Sequence, residues 1–199
     1  MRVLVACEFS GVVRDAFINR GHDAISCDLM PTIVPGPHYE GDVMDIIDEP
    51  WDLMIAHPPC TYLAQSGVRW LRKANGTIDL KRWEAMEKAA EFFLTLYNSD
   101  IPRICIENPI MHGFAKDAIK IKPTQCIQPY EYGNGERKAT YLWLRNLPCL
   151  VPTDIVEGRF PSTHKMGSGA NRSRARSITY AGIAAAMADQ WGGRGINAD

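Results

Sequence analysis

From its first residue the chain alternates compact apolar runs with amphipathic ones, and this alternation limits the fold more than any other feature. "RVLVACEF" reads as a buried strand, and "GVVRDAFINRG" sets Val12, Val13, Phe17 and Ile18 on one helical face before Gly21, a C-cap residue. "HDAISCD" and "WDLMIAH" read as further strands. From Thr77 to Asn98, Trp83, Met86, Ala90, Phe93, Leu94 and Tyr97 recur at three- and four-residue steps, which predicts a long helix. "RICIENP" follows as a strand stopped by Pro109. Strands separated by helices require a parallel sheet covered on both faces. Beyond it, "TQCIQPYEY" and "KATYLWL" flank the glycine-rich "GNGER" and predict an antiparallel hairpin, and "AGIAAAMADQW" predicts a final helix over residues 181–191.

At 199 residues the chain suits a single domain over residues 1–199. Its 22 Lys and Arg against 23 Asp and Glu give a net charge of -1, so any nucleic-acid contact must come from a local patch. One interval qualifies: from Gly158 to Ala188 there is no acidic residue, while Arg159, Lys165, Arg172, Arg174 and Arg176 accumulate around "GSGANRS". A basic, flexible loop is expected at about 158–177. The six cysteines are widely spaced, with no CxxC and no zinc-like His pairing, so neither a disulfide framework nor a metal site is expected. With no long apolar segment, a cytoplasmic location with reduced thiols is the expectation. Cys7, Cys27, Cys105 and Cys126 fall inside strand patterns and read as structural.

Two strand ends carry the chemistry. "HPPC" places Cys60 in a turn stiffened by two prolines, and "IENP" places Glu107 at the end of the next predicted strand. In a parallel sheet both emerge at the carboxyl edge, where α/β sites lie. A thiol there can attack an electron-poor carbon, and a carboxyl beside it can protonate a ring nitrogen as charge develops. The glycine turn after the first strand has only Gly11 where dinucleotide binders use three glycines, which favours a cofactor without a pyrophosphate, such as S-adenosylmethionine. Asp28 and Asp42, at or near the next strand ends, can accept hydrogen bonds from a ribose diol.

The order "FSGVVRDAF", "CD", "GDV", "PPC", "IENP" resembles the catalytic half of the DNA cytosine-5 methyltransferases, over roughly residues 1–115. The resemblance implies a Rossmann-like class I methyltransferase fold, S-adenosylmethionine as cofactor, and DNA as partner. It implies that Cys60 adds to carbon 6 of a cytosine while Glu107 protonates nitrogen 3, with Asn108 fixing the Glu107 loop and Pro59 orienting the thiol. It further implies that Phe9, Ser10, Gly11, Asp28, Asp42 and His57 contact the cofactor. "GIAAAMADQW" resembles, loosely, the helix that closes that family's cofactor pocket.

The chain departs from the family in several places. Val13 stands where a second glycine is frequent, Pro109 replaces the valine after Glu-Asn, and Arg137 and Lys138 of "ERKAT" substitute for an Arg-x-Arg base-holding motif. The interval from about Leu147 to Tyr180 is too short for the family's large recognition domain. A cytosine within a duplex must be flipped out before carbon 6 is reachable, at a cost of a few kcal/mol. Arg172, Arg174 and Arg176, with Arg69, Arg72 and Lys73 after the cysteine turn, could grip phosphates, which position a substrate without reading its sequence. Minimal or relaxed recognition of DNA is therefore expected. A free deoxycytidine nucleotide, an exocyclic amino-methyltransferase using the "HPPC" turn, and a non-catalytic binding module are the alternatives.

Overall fold

The computed structural model describes residues 1–160, 174 and 176–193. Seven strands, β1 (Arg2–Ala6), β2 (Asp23–Asp28), β3 (His38–Glu40), β4 (Leu53–Ala56), β5 (Arg103–Pro109), β6 (Gln125–Ile127) and β7 (Thr140–Arg145), form one sheet in the order β3-β2-β1-β4-β5-β7-β6. The first five are parallel, and β7 runs antiparallel to both β5 and β6. This is the mixed, mostly parallel α/β sheet that the strand-helix alternation predicts.

Alternation along the strands divides the core into two layers. Leu4, Ala6, Met54, Ala56, Ile104 and Ile106 face helix α2 (Leu80–Tyr97) and helix α3 (Gly113–Ile119). Val3, Val5, Leu53, Ile55 and Cys105 face helix α1 (Val12–Ile18) and helix α4 (Ala181–Trp191). Ile183, Met187 and Trp191 recur every four residues on α4 and are all buried, each burial worth roughly 1.5–3 kcal/mol. The backbone of α4 lies so close to the turn at Tyr132 that a Cβ on Gly182 would fall 1.8 Å from the Tyr132 carbonyl oxygen. Among the described residues no helix is long and apolar enough to cross a membrane.

Several expectations need correction. Helix α2 starts at Leu80 rather than Thr77, because Asp79 caps it by accepting from the Arg82 N–H, while Ile78 is held in a bridge with Arg72. The hairpin forms, but β6 spans only three residues. "GNGER" is not a tight turn between the strands: it pairs with the segment 154–160 through Gly133 N–H to Asp154 O (2.7 Å) and Phe160 N–H to Gly135 O (2.8 Å). On this edge strand Cys126 is exposed, not structural core. Most of the basic loop expected at 158–177, Arg172 included, lies outside the described residues.

Candidate active site

The strand order reverses between β1 and β4, so the loops leaving their carboxyl ends diverge and open a crevice. The loop after β1 is tightly built. Glu8, 4% exposed, accepts from Ser10 Oγ (2.9 Å), Val13 N (2.8 Å) and Arg14 N (3.2 Å), so its carboxylate caps the first turn of α1. Gly11 adopts φ 73, and a Cβ there would meet the Arg14 guanidinium at 2.5 Å, so glycine is required by both backbone and space. Arg14 is fully buried and bonds Ser26 Oγ, Thr32 Oγ1 and the carbonyls of Val34, Pro35 and Pro37, with Asp15 as its ionic partner. One guanidinium thereby shapes the whole loop between β2 and β3.

At the next strand ends Asp28 accepts from Met30 N (2.9 Å) and Asp42, exposed, accepts from Met44 N (3.0 Å). Each spends one carboxylate oxygen on a local turn. Ser10 is turned to Glu8, and Phe9 is buried with the Arg174 guanidinium 5.2 Å above its ring.

Strands β4 and β5 are in register from Leu53↔Arg103 to Ala56↔Ile106, so the segments holding Cys60 and Glu107 leave the same edge side by side. His57 Nδ1 lies 3.2 Å from Glu107 Oε2, and its backbone N–H donates to Ala6 O, tying the β4 end to β1. Asn108 Nδ2 donates to Pro58 O (3.0 Å), clamping the β5 end onto the double-proline turn. Two buried atoms in this cluster, His57 Nε2 and Asn108 Oδ1, have no hydrogen-bond partner among the described residues. Such groups are costly unless something else satisfies them.

Electrostatics set the resting protonation. Burial by itself raises Glu107, but the His57 hydrogen bond and charge, with Lys138 and Thr140, outweigh it, and the carboxyl titrates below its ordinary value. For Cys60, partial desolvation first and the Glu107 charge second push the thiol up, while Lys138 and Arg176 draw it back. The residue itself is exposed at the surface of this edge. The cluster thus rests as an ionised carboxylate beside a neutral thiol.

Lys138 ties this edge to the segment before α4. Its Nζ donates to Arg176 O (2.6 Å) and sits 5.5 Å from the Tyr180 ring centre. Ser177 and Thr179, with Cys7, Glu8, Phe9, Ser10 and His57, enclose a gap of only ≈ 10 Å³ at the β1 end. Arg137 is exposed, its backbone paired with Phe160. Of the basic residues named from the sequence, Lys138 and Arg176 thus act on Cys60, and Arg174 covers Phe9. Glu8 and Arg14 escaped the sequence reading. The signal available was an acid and a base three positions either side of the one glycine turn, in an otherwise apolar unit.

No protein-family model and no curated protein matches the sequence. Among solved structures the chain is similar to a prophage-encoded protein from E. coli described as a DNA modification methyltransferase, at 15% identity and TM-score 0.49, covering 78% of this chain and 52% of that one. It is similar to the Entamoeba histolytica methyltransferase EhMeth at 16% identity and TM-score 0.48, covering 87% and 62%. For the S. pombe Dnmt2 methyltransferase the values are 15%, 0.45, 83% and 54%. The chain spans between about half and three fifths of the length of these proteins. Likeness at this level concerns the fold alone and is no basis for an activity.

Proposed function

We propose that this protein is an S-adenosylmethionine-dependent methyltransferase acting at carbon 5 of cytosine in nucleic acid, with DNA the first substrate to test, through a covalent bond to Cys60. The observation that carries the reading is the convergence of an exposed thiol and a His57-bonded carboxylate at the common edge of two registered parallel strands. An inert core cysteine requires neither the exposure nor the carboxylate.

The resting charges suggest the order of proton movement. Glu107 is ionised, so the proton that it gives to nitrogen 3 must arrive during the reaction. The Cys60 thiol supplies it: as Sγ bonds to carbon 6, its proton passes to Glu107 and on to nitrogen 3. One S–H bond and one ring double bond become one S–C6 bond and one N3–H bond, and carbon 5 becomes nucleophilic. Lys138 and Arg176 favour the thiolate as it forms. His57 holds the carboxylate in place through Nδ1, and Asn108 fixes the turn that presents the sulfur. Once carbon 5 carries the methyl group it gives its proton to water, the thiolate leaves carbon 6 as the ring double bond re-forms, and the nitrogen 3 proton returns through Glu107 to Sγ.

The residues around the crevice fit the implied cofactor chemically. Asp28 and Asp42 offer carboxylates to a ribose diol, Phe9 an aromatic face, and His57, whose Nε2 has no partner among the described residues, lines the gap. The gap is too small as it stands, so entry requires the Ser177–Thr179 run to give way. When bound, S-adenosylmethionine supplies an electrophilic methyl group.

The test is a trapping assay with S-adenosylmethionine and an oligonucleotide containing 5-fluorocytosine, in parallel with the free fluorinated nucleotide. A denaturation-resistant adduct on the oligonucleotide that disappears in Cys60→Ala supports the reading. An adduct on the nucleotide alone moves the substrate to the free base unit, and an adduct that survives Cys60→Ala overturns the assignment. Methyl groups found on the exocyclic nitrogen of unmodified substrate also overturn it.

A further inference from the structure

Beside the edge that carries Cys60 and Glu107 is a cavity of ≈ 270 Å³ that the methyl-transfer scheme does not use. Its walls are the continuations of the two strands already described. One is the run after Cys60, contributing Arg69, Arg72 and Ile78; the other is Phe114, in the turn and helix after Glu107, with Trp83 of α2 between them. The two runs are zipped together by Gln65 N–H to Ile110 O (2.8 Å), His112 N–H to Leu63 O (3.0 Å) and His112 Nε2 to Tyr62 O (2.8 Å). A ligand in this cavity therefore lies on the same rigid unit as the thiol and the carboxylate.

The lining has a definite chemistry. Trp83 and Phe114 have ring centres 5.1 Å apart at an interplanar angle of 58°. The Trp83 Nε1–H is already bonded to Glu87, which leaves that ring to act through its faces. Phe114 is 43% exposed and Ile78 46%, and Trp70, 54% exposed, stands nearby with the Arg69 guanidinium 4.6 Å above its ring. From Thr61 to Trp83 the chain holds Arg69, Arg72, Lys73, Lys81 and Arg82 against Asp79 alone, and that one carboxylate caps α2. Planar apolar faces beside five cations, with Asp79 and the Trp83-bonded Glu87 as the neighbouring carboxylates, match a ligand that is at once aromatic and polyanionic. The volume lies just under the usual range for whole drug-sized ligands, so it suits one ring system rather than two.

We propose that this cavity receives one unpaired nucleobase of the same nucleic-acid chain that carries the target cytosine, stacked against Trp83 and Phe114, with the adjoining phosphates on Arg69 and Arg72. The assignment rests on the cytosine-methyltransferase reading for its neighbour, but the cavity and its charge stand independently. It also refines that reading, because a base held here in addition to the target cytosine calls for a polynucleotide, whereas a free nucleotide brings only one base.

The test is equilibrium binding, without methyl donor, of a labelled single-stranded oligonucleotide containing one cytosine, followed by a set in which each neighbouring base in turn is replaced by an abasic site. Removing the base at one position is expected to weaken binding to the wild type by about 5- to 150-fold, the equivalent of 1–3 kcal/mol for one stacked base. Phe114→Ala is expected to weaken the intact oligonucleotide similarly and to abolish the penalty at that position. Phe114→Leu, which keeps an apolar group against Trp83, gives the same result if the alanine variant does not fold. Replacing Arg69 and Arg72 by alanine lowers the slope of log affinity against log salt by about 1.4, two single-strand phosphate contacts. Uniform abasic effects, a penalty that persists without Phe114, or an unchanged salt slope overturns the proposal. Because no chemistry is measured, base-dependent binding together with a failed Cys60 trap defeats the methyltransferase reading and leaves the cavity assignment standing; the reverse result defeats the cavity alone.

Discussion

The two halves of the crevice handle polar groups in opposite ways. After β1 the two buried charges are spent within the protein: Glu8 accepts three hydrogen bonds, and Arg14 reaches two hydroxyls, three carbonyls and a carboxylate. After β4 and β5 buried polar atoms are left over, His57 Nε2 and Asn108 Oδ1, beside an exposed thiol. A group with its valences filled can only hold shape. A group left unfilled costs stability until a ligand meets it, and that cost marks where a ligand belongs. By this criterion Glu8 and Arg14 are scaffold, and the edge after β4 and β5 is the candidate reaction centre.

Substitutions test the contrast, the largest effect first. Cys60→Ala is expected to bring adduct formation and methyl transfer down to background while the urea midpoint changes by no more than about 0.5 kcal/mol equivalent, since the residue is exposed. Equal losses of activity and stability would place Cys60 with the scaffold. Glu107→Gln should lower turnover by roughly 10²–10⁴ in single-turnover assays. It should also change the acid limb of stability. Because Glu107 titrates below its ordinary value in the folded protein, its contribution is complete above the ordinary carboxylate range and is lost as pH falls through the lowered value. Denaturation series down to low pH should show that loss in the wild type and a shallower one in the glutamine variant.

Arg14→Met is the converse experiment. Removing a fully buried guanidinium strands its carbonyl and hydroxyl partners, and a loss of about 3 kcal/mol is expected in chemical denaturation. The smallest effect concerns the thiol. Alkylation of Cys60 should keep accelerating with pH beyond the point where an unperturbed thiol has levelled off, and Lys138→Met should move the profile further upward, because Lys138 is one of the charges drawing the thiol down. Peptide mass spectrometry of alkylated Cys60 across pH reads both profiles, and a downward shift in the variant would refute the assigned role of Lys138.

The legible elements were those long enough for a period to repeat. β1 and β4 carry apolar runs of four residues and β2 and β5 shorter ones within strands of six and seven, and α4 has its expected bounds because Tyr180 and Gly192 flank a mostly small and apolar stretch. β3 escaped notice because three residues between prolines and a glycine carry no periodicity, and α3 because its N-cap is His112, whose ring nitrogen accepts from Ala115 N where Ser, Thr or Asp would have been the signal. At the site, the common edge of Cys60 and Glu107 could be read from two strands ending in prolines. The contact of His57 with Glu107 could not, because it depends on the register Ala56↔Ile106, which a single strand does not encode. Arg14 was opaque for a related reason. In sequence a buried arginine looks like any helix-surface charge, and its acceptors lie in a loop some twenty residues away.

The packing of α1 against α4 governs how this chain reaches its native state during synthesis. Arg20 and Asp189 form an ion pair across 169 positions, and Val13 and Phe17 share a layer with Ile183, Met187 and Trp191. On the ribosome, α1 emerges with that apolar flank bare, and it stays bare until α4 has left the exit tunnel. This layer therefore cannot close strictly from front to back, and the flank of α1 is exposed apolar surface for as long as α4 is missing.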